Sequence, residues 1–372
     1  MPQVIMNYDG HMQLRCNNTL TLYTQRQKTT MPVTVEEYGR TKNNQLVEKY
    51  TITNKNGVTA KLINFGASLT ELWVPDKNNQ TADVVLGWPD LKDYEKNSFY
   101  FASVVGRVAN RIAKGSFTID GVKYQLAINN GPNTNHGGID GFFHKLWAGS
   151  IEGEDSVKFT YVSADGEEGF PGEVTTSATY QLTDDNRLVI SFIATTTKST
   201  PINLTNHSYF NLAGHNGGTI LDHVIQINAE QYTPLDDTSV PTGEIAPVKD
   251  TVFDLREPTR IGDRIHDAPG LGFDNNFCVK SSLEEPCARV THPESGRCME
   301  MFTTKPGIQF YSANYLDDTA RGKEGITYPK HGALCLESQY YPNAINQPNF
   351  PNSVLKPGET YKHTTVYKFS WN

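Results

Sequence analysis

Short alternating apolar–polar runs, punctuated by Asn-Gly and Asp-Gly, constrain this chain more than any other feature. They favour antiparallel sheet. TITNKNGVTAKLI turns at Asn56-Gly57 and SFTIDGVKYQL at Asp120-Gly121, and both dipeptides accept the positive φ of a type I′ hairpin. Further strand-like runs are VKFTYV (157–162), RLVISFIA (187–194), HVIQIN (223–228), GIQFYSA (307–313), ALCLESQ (333–339) and TTVYKFSW (364–371). Helix-like pattern is confined to Pro89–Lys96 and Val104–Ile112. No long 3.6-residue period and no strand–helix–strand alternation appears, which disfavours a parallel α/β fold. The expected class is all-β: a large antiparallel β-sandwich, two sheets face to face, with a few short helices.

The 372 residues suffice for two average domains or one large β domain. No internal repeat or low-complexity linker divides the body, so residues 32–372 read as a single domain. Residues 1–31 are polar and rich in Thr and Gln, which predicts a flexible extension; Met31 could itself serve as a start. This segment lacks the apolar centre of a secretory signal. A net charge of −8, with Lys and Arg scattered, argues against nucleic acid or an anionic membrane as partner. No apolar run approaches the ~18–20 residues of a membrane span. Five cysteines with no CxxC pair predict reduced thiols in the cytoplasm rather than a disulfide framework or zinc site. Formal sequons stand at Asn17, Asn79, Asn203 and Asn206, and the last two flank His207 in the proposed site.

His207 lies in INLTNHSYFNLAG (202–214), where period-2 counting puts Asn203, Thr205, His207, Tyr209 and Asn211 on one face. An imidazole titrates near neutrality, so among amides and hydroxyls it suits proton exchange with a polyol. A hydrogen-bonded structural histidine is the alternative. Glu337 sits between Leu336 and Ser338 in a strongly apolar strand, an expensive place for an unpaired carboxylate. GRVANRIAKG (106–115) carries Asn110 and Arg111; Arg111 could fork to hydroxyls, hold a carboxylate, or form a structural ion pair. NNGPNTNHGG (129–138) presents His136 before two glycines that allow close backbone approach to a ligand. Asp274, in GLGFDNNFCV, is open to a plain Asx-turn reading. Gln309, inside PGIQFYSANY, could bond hydroxyls. With no G-x-S-x-G elbow, P-loop or H-E-x-x-H, an acid–base pair acting on a polyhydroxylated ligand fits best.

From Val33 to Trp371 the ordered motifs NFGA, DVVLG, GRVANRIAKG, NHGG, DGEEGFPGE, NLTNHSYFNLAG, PTGE, FDLR, FDNNF, PGIQFY, YPKHGALCLESQ, INQPNFP and PGE resemble the aldose 1-epimerase (mutarotase) family. The resemblance implies a β supersandwich with a sugar cleft on a concave sheet. It implies an isomerase interconverting the α and β anomers of D-galactose and D-glucose, with no metal or cofactor. Carried over by position, Glu337 matches the general base and His207 the general acid. Asn110, Arg111, His136, Ser208, Tyr209, Asp274 and Gln309 match sugar-contacting positions. A hexose is the expected partner of a cytoplasmic monomer. For these roles His207 should hold a proton near pH 7, which predicts a carboxylate or other acceptor beside it. The competing readings are an epimerase of phosphorylated hexoses, a non-catalytic sugar-binding protein, and a glycosidase using Asp274 and Glu337.

Overall fold

The computed structural model describes residues 4–6, 12–16, 19–20 and 31–372, except 97, 98 and 320. Two compact units divide the chain, Met1–Thr30 and Met31–Asn372. In the first, Val4–Met6 pairs antiparallel with Met12–Cys16, which pairs with Thr19–Leu20. The rest of that segment, on which much of the expected extension falls, lies outside the described residues.

Among the described residues, three large antiparallel sheets and four two-stranded ones build the second unit. One has nine strands, in the order Ala148–Ile151, Ser156–Ser163, Val174–Leu182, Arg187–Thr196, Tyr361–Trp371, Arg297–Thr303, Ala288–Thr291, Val224–Ile227 and Thr259–Arg260. A five-stranded sheet runs in sequence order from Met31–Arg40 through Leu46–Thr53, Thr59–Ile63 and Ser68–Pro75 to Thr81–Asp83. The other five-stranded sheet is ordered Ala246–Pro247, Ala229–Tyr232, Asp274–Val279, Gly307–Tyr311 and Cys335–Gln339. One apolar core joins all three, with Ile52, Leu62 and Leu72 meeting Phe159, Ile190 and Phe192, and Ile308, Phe310 and Leu336. The all-β, antiparallel expectation is borne out, as are the strand runs and hairpins read outside 202–214, although three main sheets stand where two were expected.

Local departures have physical causes. Asp120 and Gly121 both take positive φ (52° and 79°), as a type I′ turn requires, whereas at Asn56-Gly57 only Gly57 does (87°). There Asn54 Oδ1 accepts the amides of Asn56 and Val58, so a side chain closes the turn. Leu91–Tyr94 is a single helical turn inside the expected helix. Val104–Ile112 is no helix: its ends form two-residue strands, Val104–Val105 and Arg111–Ile112. Every residue from 101 to 112 is buried, so apolar spacing there carries no period.

A buried ion pair fastens the loop that carries Lys323. Lys323 Nζ reaches Asp83 Oδ2 at 2.5 Å and the Val85 carbonyl at 2.8 Å. Asp83 Oδ1 accepts the Leu72 amide at 2.9 Å. Asp83→Ala should cost about 3–5 kcal/mol by stranding a buried ammonium, read as a lower urea midpoint at unchanged slope.

Candidate functional site

Two adjacent strands of the second five-stranded sheet are buried on both faces. Ile308, Phe310 and Leu336 enter the core, so the alternate positions must point the other way. Strand register sets these polar groups side by side: Glu337 faces Gln309, and Cys335 faces Tyr311. On the next strand Asp274 faces Tyr311 and Asn276 faces Gln309. A cavity of about 300 Å³ opens there, lined chiefly by Asn110, Arg111, His136, His207, Asp274 and Glu337, with aromatic walls.

Only Thr205–Asn206 of the His207 segment pairs as strand, with Val104–Val105. The simple alternation expected over 202–214 therefore does not hold; residues 202–212 are buried whatever their parity. His207 is still fixed through its backbone, donating to Ser103 O (3.0 Å) and accepting from Ala102 N (2.9 Å). Its ring stacks on Tyr209 (centroids 5.0 Å, 14°) and meets Tyr100 and His136. His136 and Asn110 hold each other: the Asn110 amide donates to His136 Nδ1 (3.2 Å), and His136 N donates to Asn110 O. Both have positive φ, 52° and 60°, strain of the kind that functional sites retain.

His207 Nε2 lies 3.6 Å from Glu337 Oε1, with both side chains about 95% buried. Burial pushes Glu337 well above the usual carboxylate range, Asp274 adds to the rise, and Arg111 opposes it. His207 is pushed down to about 4, again by burial, with its own backbone carbonyl opposing. The expected carboxylate neighbour is present, but burial acts against the expected charge: it pushes Glu337 up and His207 down, each towards its neutral form.

Arg111 donates from Nε to Asn130 Oδ1 (3.0 Å) and faces Asp274 Oδ2 at 3.8 Å. Asp274 Oδ1 accepts Gln309 Nε2 (2.8 Å), and Gln309 Oε1 accepts Gln339 Nε2 (3.0 Å). Gln309 therefore stands behind the lining, supporting Asp274. Ser208 also lies off the cavity, its hydroxyl given to Asn206 Oδ1. Asn110, Arg111, His136, His207, Tyr209, Asp274 and Glu337 all line it. Sequence reasoning missed Phe99, Tyr100, Asn129, Asn130, Asn135, Tyr311 and Tyr315; the three asparagines and the last two tyrosines fell in segments already marked for His136 and Gln309, whereas Phe99 and Tyr100 did not. The glycines after His136 admit protein rather than ligand: a Cβ on Gly137 would strike the Gly106 carbonyl, and one on Gly138 the Glu168 carboxylate.

A separate cluster, Asp222, His223 and His292, brings three donor atoms within 4.8 Å of one another. However, His223 Nε2 already accepts the Leu212 amide and His292 Nδ1 the Ser295 amide. Metal ligation through the remaining nitrogens would set N–H against N–H. The arrangement suits two neutral rings donating to Asp222 instead.

The neighbours of Glu337 give opposite predictions for its titration. Asp274→Asn removes a repelling charge and should lower its pKa, whereas Arg111→Met removes an attracting one and should raise it. Carboxyl ¹³C NMR titrations of the two variants check the signs.

A family model described as aldose 1-epimerase matches residues 48–368. Galactose mutarotase from Sus scrofa is 51% identical over 325 residues, covering 87% of this chain and 94% of the relative. Aldose 1-epimerase from Escherichia coli K12 is 34% identical over 328 residues, with 86% and 94% covered. A crystal structure of an aldose epimerase homologue from C. elegans superposes with a TM-score of 0.82 at 35% identity, covering 86% and 98%. Galactose 1-epimerase from Lactobacillus acidophilus gives 0.80 at 27% identity, covering 92% and 99%.

Proposed function

The chain belongs to the aldose 1-epimerase family and is an isomerase, and from that premise we propose that Glu337 and His207 interconvert the anomers of D-galactose and D-glucose. The observation that carries this reading is the buried carboxyl–imidazole pair, 3.6 Å apart, on the wall of a hexose-sized cavity. Glu337 as carboxylate takes the proton of the anomeric hydroxyl while His207 Nε2 gives one to the ring oxygen. The C–O bond breaks, an aldehyde forms, and the C1–C2 bond turns by half a rotation. Closure returns each proton and yields the other anomer.

Burial favours a neutral acid on Glu337 and a neutral ring on His207, and the pair holds this arrangement once the sugar has opened. Desolvation therefore aids ring opening, while hydroxyls bonding to the carboxylate support the starting ion pair. Acid–base help of this kind is worth about 10²–10⁴-fold. Asn110, Arg111, His136, Tyr209 and Asp274 would orient the hydroxyls, with Ser208 and Gln309 acting from behind. Following the optical rotation of fresh α-D-galactose and α-D-glucose tests the activity; sugar bound without faster mutarotation would leave a binding protein.

A phosphorylated hexose is less well matched. Among the described lining residues Arg111 is the only permanent cation, and it is shared with Asn130 and Asp274. A glycosidase reading also weakens, because Asp274 is engaged by Gln309 and Arg111. We take residues 32–372 as the catalytic domain, 1–31 as an appended extension, and the protein as a cytoplasmic monomer. Supporting the compartment, Asn203 and Asn206 are buried, which is incompatible with glycans, and the described cysteines are free. No helix among the described residues is long and apolar enough to cross a membrane.

A further inference from the structure

Cys335 and Glu337 stand two residues apart on one face of the strand Cys335–Gln339. Such positions are separated by roughly 6.6–6.8 Å, about the span of an imidazole contacted at both nitrogens. Glu337 Oε1 is 3.6 Å from His207 Nε2, and Cys335 Sγ is 3.6 Å from His207 Nδ1. The ring's own backbone carbonyl also favours its charged form. The other titratable groups around His207 are His136, Tyr100, Tyr209 and Tyr311. None of these is hydrogen-bonded to Nδ1 among the described residues.

We propose that Cys335 is a positioning residue for the reaction: its sulfur keeps the proton on Nδ1 and so makes Nε2 the nitrogen that exchanges with the sugar. This rests on His207 as the proton donor. A histidine that gives up its Nε2 proton is left as the Nδ1–H tautomer, and the partner of Nδ1 decides how readily that happens. A carboxylate there would hold the imidazolium strongly and make it a reluctant acid. A thiol is a weak acceptor: it fixes the tautomer while raising the ring's basicity far less than a carboxylate would. Buried and kept as a thiol, Cys335 also adds no second charge to the pocket.

The test uses the full chain, labelled with ¹⁵N-histidine, with the His207 signal assigned by its loss in His207→Asn. The neutral ring in the unsubstituted protein should be the Nδ1–H tautomer; the Nε2–H tautomer would overturn the proposal without any variant at Cys335. Cys335→Ala should lower kcat about fivefold, the size of one ordinary hydrogen bond, with KM unchanged. It should also move the alkaline limb of kcat to lower pH, because the imidazolium loses an acceptor. Cys335→Ser, which restores an acceptor, should keep both near the unsubstituted enzyme. Wild-type kcat and limb in Cys335→Ala, or equal losses in both variants with the limb unmoved, would reduce Cys335 to packing. Near-normal turnover in His207→Asn would instead remove the acid assignment beneath the proposal, a failure distinguishable because the tautomer signal would stand.

Discussion

Glu337→Gln should lower kcat for galactose mutarotation at least about a hundredfold while leaving sugar affinity largely intact. The amide keeps the size and hydrogen-bonding reach of the carboxyl but cannot take up the anomeric proton. The change also removes a buried ionisable group, so stability should hold or rise. Polarimetry for turnover, calorimetry for binding and a thermal melt separate the possibilities. Loss of folding would make Glu337 structural, and retained turnover would end its role as base.

His207→Asn should be comparably severe, with a loss of about 10²-fold or more. Asparagine can still bond a hydroxyl, but it has no proton to give near neutrality. It also removes the ring that packs between Tyr100 and Tyr209, so some loss of affinity should accompany the fall in kcat. Activity near that of the unsubstituted enzyme would refute the acid assignment. If both substitutions are combined, the loss should be close to that of either alone, because the two proposed proton transfers belong to one ring-opening step.

How much of this was legible in the sequence depended on whether a residue's signal was local. The hairpin at Asp120-Gly121 could be read because turn chemistry and the flanking alternation agree. Glu337 could be read because a carboxylate among Leu336, Cys335 and Leu334 has no cheap structural explanation. Val104–Ile112 could not: burial on all sides removes the polar face that defines a period. Nor could Tyr100, Tyr311 and Tyr315, since among 18 Tyr and 17 Phe an aromatic facing a ligand resembles one facing the core. The charge of His207 was misjudged because desolvation is set by the whole tertiary structure, whereas a sequence shows only which partners are available.

The cavity wall draws on residues from Phe99 to Glu337, and no short stretch supplies both His207 and Glu337. Topologies rich in such distant contacts fold slowly, and a fragment ending before Glu337, however sheet-rich, would lack one side of that wall.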